Sequence, residues 1–269
     1  HDDASAMLTD CIHSVIELDA QCNFVAYHSL SEGNQIPGCE LSNKTPLRFA
    51  QMIQGFVKGK KCGVFLLNNG DIVLAKDQEV RFVRRNLRWL NLSYRAFRNA
   101  LQPFVEKNSG IGGESAKRME EMLESIFASV LDISLAHSGG IVAVVGGAWP
   151  GSSIAKNSED EPILAPCDDL LSNAYDVEEN NADIRALKRA VIKSLVAGNA
   201  FDKLDRKLRS ELLGLDGACI IGCDGRIQSF GAIIRNDSGS LGGGRGATAR
   251  KLSEYGMAVK ISTDGYIEV

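Results

Sequence analysis

The sequence predicts a mixed α/β fold of the α+β type: a mixed, twisted β-sheet flanked by helices, preceded by an N-terminal α+β module. Three observations predict it. Apolar stripes at helical spacing alternate with short runs of β-branched residues. Asn-Gly and Asp-Gly pairs separate neighbouring runs, where tight turns need positive φ angles. The 269 residues are 44% hydrophobic and 24% charged, the composition of a packed chain rather than a disordered one. Helices interleaved with hairpin-like strand pairs imply both parallel and antiparallel neighbours in the sheet.

The elements follow in chain order. Met7, Ile12, Val15, Ile16 and Leu18 read as a first helix, and residues 23–28 as a strand. Residues 63–67 and 71–75, joined by Asn68-Asn69-Gly70, read as a hairpin. In residues 80–94, Val80, Phe82, Leu87, Trp89, Leu90, Leu92 and Tyr94 alternate with Arg81, Arg84, Arg85 and Arg88. That pattern reads as a half-buried strand pair with one basic face, either solvated or in contact with an anion or nucleic acid. Residues 107–113 (KNSGIGG) read as a linker. The domains expected are therefore 1–110, a sensor or regulatory module, and 114–269.

Beyond the linker, Met119, Leu123, Ile126, Val130 and Ile133 mark a long helix, with His137 as a C-terminal residue near its free carbonyls. Residues 141–145 read as a buried strand, and 146–181 as loops. Ile184, Leu187, Val191 and Leu195 form a second helical stripe stopped by Gly198; Phe201, Leu204, Leu208 and Leu212 form a third. The remainder reads as strand 217–221, strand 227–234, helix 247–255, strand 257–261 and strand 266–269, with turns at Cys223-Asp224-Gly225 and Thr263-Asp264-Gly265.

Composition narrows the function. Thirty Lys and Arg against 34 Asp and Glu give a net charge of −4. That balance argues against nucleic acid as the default partner. No apolar run approaches the roughly 18–20 residues of a membrane helix, so no membrane partner and a cytoplasmic location are expected. No secretory leader is read, and the opening His1 is expected of a trimmed terminus. The seven cysteines form no C-x-x-C pair and read as free thiols in a reducing compartment. Cys219 and Cys223 lack the two further neighbours that zinc needs.

Two segments carry candidate chemistry. Asp216-Gly217-Ala218 places a carboxylate at a helix-to-strand junction, followed by small residues that admit a ligand close to the backbone. The alternative is an ordinary turn Asp at the strand entry. Residues 239–250 (GSLGGGRGATAR) form a Gly-rich loop running into a helix. Backbone N–H groups and the helix N-terminus favour an anion there, and Arg245 at the helix start wants one. The alternative is a flexible connector. The segment is neither a Walker A loop nor a good dinucleotide fingerprint.

With their order and spacing, these segments resemble the diadenylate cyclase (DAC) domain family over residues 132–269, about half of the chain. The resemblance rests on Asp216-Gly217-Ala218 before two strands, then Leu241-Gly242, the Gly-rich loop, Arg245 and the helix to Leu252. It continues through Ser253, Ile261-Ser262 and the Asp-Gly turn into Ile267. Ser138-Gly139-Gly140 and residues 141–145 look like the family's opening helix end and first strand. It implies a nucleotide-binding domain that condenses two ATP into cyclic di-AMP and pyrophosphate, with two domains face to face in a homo-oligomer. It also implies Asp216 as metal ligand and catalytic residue, with Mg2+ or Mn2+, and Arg245 as the catalytic phosphate contact. Gly217, Ala218, Gly242, Gly243, Gly244, Gly246, Thr248 and Ser262 are the implied nucleotide-binding residues. The sequence departs from the family where Thr-Arg-His-Arg becomes Gly244-Arg245-Gly246-Ala247: the first Arg is kept, the His and second Arg are not. That departure leaves a second expectation, a catalytically inactive sensor of ATP or a cyclic dinucleotide.

Overall fold

The computed structural model describes residues 14–29, 42–108, 113–146, 164, 190–191, 193–196, 198–235 and 243–269. The chain divides into two compact units, His1–Phe97 and Arg98–Val269. Among the described residues the fold is mixed α/β with three sheets.

In the first unit, β1 (Ser14–Leu18) and β2 (Phe24–Ser29) form an antiparallel pair. The expected first helix is thus a strand in its described part. Val15 and Ile16 are β-branched and lie beside a tight turn in which the Asp19 carboxylate accepts the backbone N–H groups of Gln21 and Asn23. Met7 and Ile12 lie outside the described residues. A 3-10 turn (Leu47–Phe49) leads into helix α1 (Ala50–Phe56). Then β3 (Cys62–Leu66), β4 (Ile72–Lys76), β5 (Glu79–Arg85) and β6 (Arg88–Asn91) form an antiparallel meander in chain order. The β3–β4 hairpin turns at Asn68-Asn69-Gly70, with Gly70 at φ 85°. Helix α2 (Tyr94–Ala100) follows, so the expected strand pair ends at Asn91 and Tyr94 opens a helix.

The basic face expected over residues 80–94 does not form as read. Arg85 is 1% exposed; its Nε and Nη2 donate to Asp71 Oδ2 at 2.8 and 2.7 Å. A bulge between Leu74 and Ala75 makes Arg81 the extra residue, so Val80 and Val83 point inward while Phe82 and Trp89 face solvent.

In the second unit, helices α3 (Gln102–Asn108) and α4 (Gly113–Leu135) precede β7 (Gly140–Val145). A 3-10 turn (Phe201–Lys203) precedes α5 (Arg206–Leu213), β8 (Ala218–Gly222) and β9 (Ile227–Ala232). Helix α6 (Gly243–Ser253), β10 (Gly256–Ile261) and β11 (Ile267–Glu268) complete it. The third expected stripe is broken at Asp205, whose side chain accepts from Lys207 N and Leu208 N and so starts α5. Of the second stripe, residues 193–196 are helical, but Val196 is the buried residue and Val191 and Leu195 are half exposed.

The sheet order is β11-β10-β7-β8-β9, with β7 and β8 parallel and the other pairs antiparallel. Ile141, Ala143 and Val145 pack with Ala249 and Leu252 of α6. Alternation turns Val142 and Val144 to the opposite side, where α4 and α5 lie against the sheet. Asp132 of α4 takes a two-pronged contact from Arg206 of α5, Nε to Oδ2 at 2.7 Å and Nη2 to Oδ1 at 2.9 Å, locking the two helices. His137 closes α4 at the C-terminal position expected of it, and does so as a left-handed residue at φ 54°: its N–H reaches Ser134 O and the N–H of Ser138 reaches Ile133 O. Among the described residues no helix is long and apolar enough to cross a membrane.

Candidate functional site

The sheet of the second unit is covered on both sides, so its ends are where charged groups meet solvent. One end collects most of the candidate residues. β7 and β8 are parallel with Val142 opposite Cys219. Gly139 precedes β7 and Asp216 precedes β8, so both lie at the end of the sheet where these parallel strands begin. β10 runs the other way, pairing Ile261 with Gly140, so Ser262 and Thr263 leave the sheet at the same end. β9 also finishes there, with Ala232 opposite Ala218.

Helix α6 lies along the sheet with its N-terminus at this end. Tyr255, just past the helix, accepts from Gly146 N at the far end of β7, while Arg245 in the first turn reaches Gly139 at the near end. A Cβ built on Gly139 would overlap Arg245 Nη1 and fall 2.9 Å from Cζ. The missing side chain of Gly139 is therefore the notch in which the guanidinium lies. Thr263 Cγ2, 3.2 Å from the same point, forms another wall. Arg245 is half-buried and has no hydrogen-bond or ion-pair partner among the described residues. A cation in the first turn of an eleven-residue helix opposes the helix dipole, which an incoming anion would offset.

Asp216 is exposed in the turn before β8. Gly217 follows at φ 98°, and a Cβ there would stand 2.8 Å from Ala232 N and 2.8 Å from Ala232 O. The position needs glycine twice over, for its backbone angle and for the closeness of β9. Ala218 is buried as the first residue of β8. Asp216 is thus held on a turn whose geometry the sheet fixes.

The other candidates divide. Gly243, at φ 78°, and Gly244 open α6 with free space around their Cα atoms. Gly242 lies outside the described residues. Gly246 faces a cavity of about 290 Å³ against β10 and β11, lined also by Arg250, Lys260 and Glu268. A Cβ at Gly246 would meet only Lys260 Nζ, at 3.9 Å, and Lys260 is paired with Glu268 at 3.1 Å. Thr248 is buried within α6. Ser262 Oγ accepts from Tyr266 N at 3.0 Å and contacts Asp264, which ties the β10–β11 turn. Arg250 is exposed.

Sequence reasoning missed Gly139 as part of the site. Its signal was the Gly139-Gly140 pair: Gly140 is needed because Leu213 O packs against its Cα, and Gly139 because Arg245 does. Among the described residues no group of three or more His, Cys, Asp or Glu is placed to hold a metal by itself. Asp216 offers one exposed carboxylate, which suits a magnesium-type ion only when substrate phosphates supply further ligands. Cys22, Cys62, Cys219 and Cys223 form no disulfide, and burial pushes the Cys219 thiol up to about 12.

The first unit holds a cavity of about 560 Å³ between β1, α1 and β3. At its edge Glu17 accepts from His28 Nε2 at 2.8 Å and pairs with Lys61 Nζ at 2.6 Å. These partners hold its carboxyl below the usual range, the Lys61 contact most strongly.

Compared with known proteins, the chain has no significant match to any family model, curated protein or solved structure.

Proposed function

We propose that the unit Arg98–Val269 binds a nucleoside triphosphate at the end of its sheet that carries Asp216 and the Arg245–Gly139 contact, and acts as a divergent diadenylate cyclase. The observation that carries this reading is the Arg245 guanidinium, seated in the Gly139 notch with no described partner beside a helix N-terminus. Charge-assisted contacts from arginine and aligned backbone N–H groups are what a phosphate chain requires. Asp216 at the same end would take Mg2+ or Mn2+ together with those phosphates. Such an ion, when bound, neutralises charge developing on the transferring phosphoryl group.

In this reading Arg245 orients the phosphate chain, and the Gly243–Gly246 backbone lets the phosphates approach closely. Asp216 lies near the attacking ribose hydroxyl. Two attacks are needed to close a cyclic dinucleotide, and one domain offers one Asp216 and one Arg245, so the working form is a face-to-face homodimer.

A second reading is a nucleotide or cyclic-dinucleotide sensor without turnover. Gly246 favours it, because the place of the family histidine is empty space beside Lys260. Losing one such phosphate donor typically costs about 2.7–4 kcal/mol of transition-state stabilisation. Incubation with ATP and Mn2+ or Mg2+, followed by mass spectrometry, separates the two. Cyclic di-AMP supports the cyclase; ATP retained unchanged on the protein supports the sensor; no ATP binding contradicts both.

A further inference from the structure

We propose that the outer face of the β3–β6 sheet binds single-stranded nucleic acid, with bases stacking on Phe82 and Trp89 and phosphates meeting Lys76 and Arg84. The strand registers assemble this face. Val64, Leu74 and Phe82 form one cross-strand row, and Leu66, Ile72, Arg84 and Trp89 form the next. Val64 is 65% exposed, Phe82 44% and Trp89 53%, so both aromatic rings are open to a partner. Phe82 and Arg84 are two residues apart on one strand, about 7 Å along it. Arg84 stands directly opposite Trp89. An aromatic, a cation and a second aromatic therefore lie side by side on an antiparallel sheet; neither of these rows contains a carboxylate, and Lys76 stands in the adjoining row opposite Glu79, which is paired with Arg81.

Charge selects the partner. Residues 42–97, which contain this sheet, carry eleven Lys and Arg against three Asp and Glu, whereas residues 1–41 of the same unit carry no Lys or Arg and seven acids, one of which, Glu17, pairs with Lys61. The whole-chain balance hides this segregation. Arg81 spends its charge on Asp77 and Glu79, and Arg85 on Asp71. Lys76 and Arg84 have no ion-pair partner among the described residues. An apolar protein partner would leave these two cations desolvated and unpaired, whereas a polyanion with planar bases satisfies cations and rings together.

The test uses the full chain and fluorescein-labelled single strands of about 12 nucleotides, one DNA and one RNA of the same sequence, read by fluorescence anisotropy. Binding of either is expected, weakening between about 50 and 200 mM salt with a slope near −0.7 per phosphate contacted. Phe82→Ala and Trp89→Ala should each weaken binding roughly five- to a hundredfold, and Arg84→Glu should weaken it and flatten the salt slope. Arg245→Ala should leave it unchanged, which separates this face from the proposed nucleotide site. Thermal melts of the three sheet variants matching the parent would confirm that the loss is not unfolding. No binding of either strand overturns the proposal, as does binding that none of the three variants alters. Concentration-dependent self-association that Trp89→Ala abolishes, with no oligonucleotide bound, would also overturn it and assign the face to a second copy of the chain.

Discussion

The two large sheets of this protein are built from similar β-branched strands but differ in what covers them. Every residue of β7 and of β8 is buried, because helices pack on both sides. In β3 only Phe65 is buried, and the residues on either side of it, Val64 and Leu66, face solvent. A sheet covered on both faces is a scaffold, and its chemistry is confined to its ends, where turns such as Asp216-Gly217 expose backbone and charge. A sheet bare on one side presents that side as a surface. The two arginines most tied to these sheets follow the same division. Arg85 is sealed under the bare sheet against Asp71; Arg245 rests at the end of the covered sheet without a described partner.

This contrast can be broken most severely at Arg85. Removing one partner of a buried ion pair leaves the other charged and unpaired, at a cost of about 3–5 kcal/mol. Arg85→Ala should therefore lower the thermal unfolding midpoint sharply, whereas Trp89→Ala, on the opposite face of the same sheet, should shift stability by less than about 1 kcal/mol. Comparable losses from both would mean that the outer face is covered after all.

A smaller effect is expected at the start of α5. Asp205→Ala removes a side-chain cap from two backbone N–H groups and should cost about 0.5–2 kcal/mol, measured by chemical denaturation. Stability unchanged by this variant would show that the Asp132–Arg206 pair alone holds the helix.

The covered sheet also predicts a chemical difference among thiols. Cys219 on β8 is buried, and its thiol is pushed up to about 12. A raised thiol stays neutral until the pH nears that value, so at pH 8 only about one molecule in ten thousand carries the reactive thiolate. Iodoacetamide should label the exposed Cys22 and Cys62 and spare Cys219 until the chain is denatured, as read by peptide mass spectrometry. Labelling of Cys219 at the same rate as Cys62 would contradict the closed sheet.

Much of the covered sheet was legible in the sequence, because local signals and tertiary packing agree there. Residues 141–145 are an uninterrupted apolar run of Ile, Val and Ala and lie in β7; the Asp-Gly turns at 224–225 and 264–265 fall between strands as read. Helix α6 was expected from Ala247 but begins at Gly243, since three glycines in its first turn conceal a helix that the sheet stabilises. The bare sheet was legible as strands but not by face. A single bulge at Leu74/Ala75 sends Phe82 outward, and Arg85 is buried by an acid fourteen residues away, which no local periodicity encodes. For the candidate site, the residues around Asp216 and Arg245 were legible as motifs. That Arg245 lies against Gly139 was not, because it depends on the course of α6 along the sheet.

The most direct test of a phosphate site at Arg245 compares ATP with adenosine by isothermal titration calorimetry on the parent chain, Arg245→Ala and Gly139→Ala. Arg245→Ala should weaken ATP binding about ten- to a hundredfold, the worth of a charge-assisted contact of roughly 1.5–3 kcal/mol, and leave adenosine binding unchanged. Gly139→Ala should act in the same direction and less strongly, by displacing the guanidinium from its notch. Equal losses for ATP and adenosine, or no loss for either, would contradict a phosphate site at the end of the covered sheet.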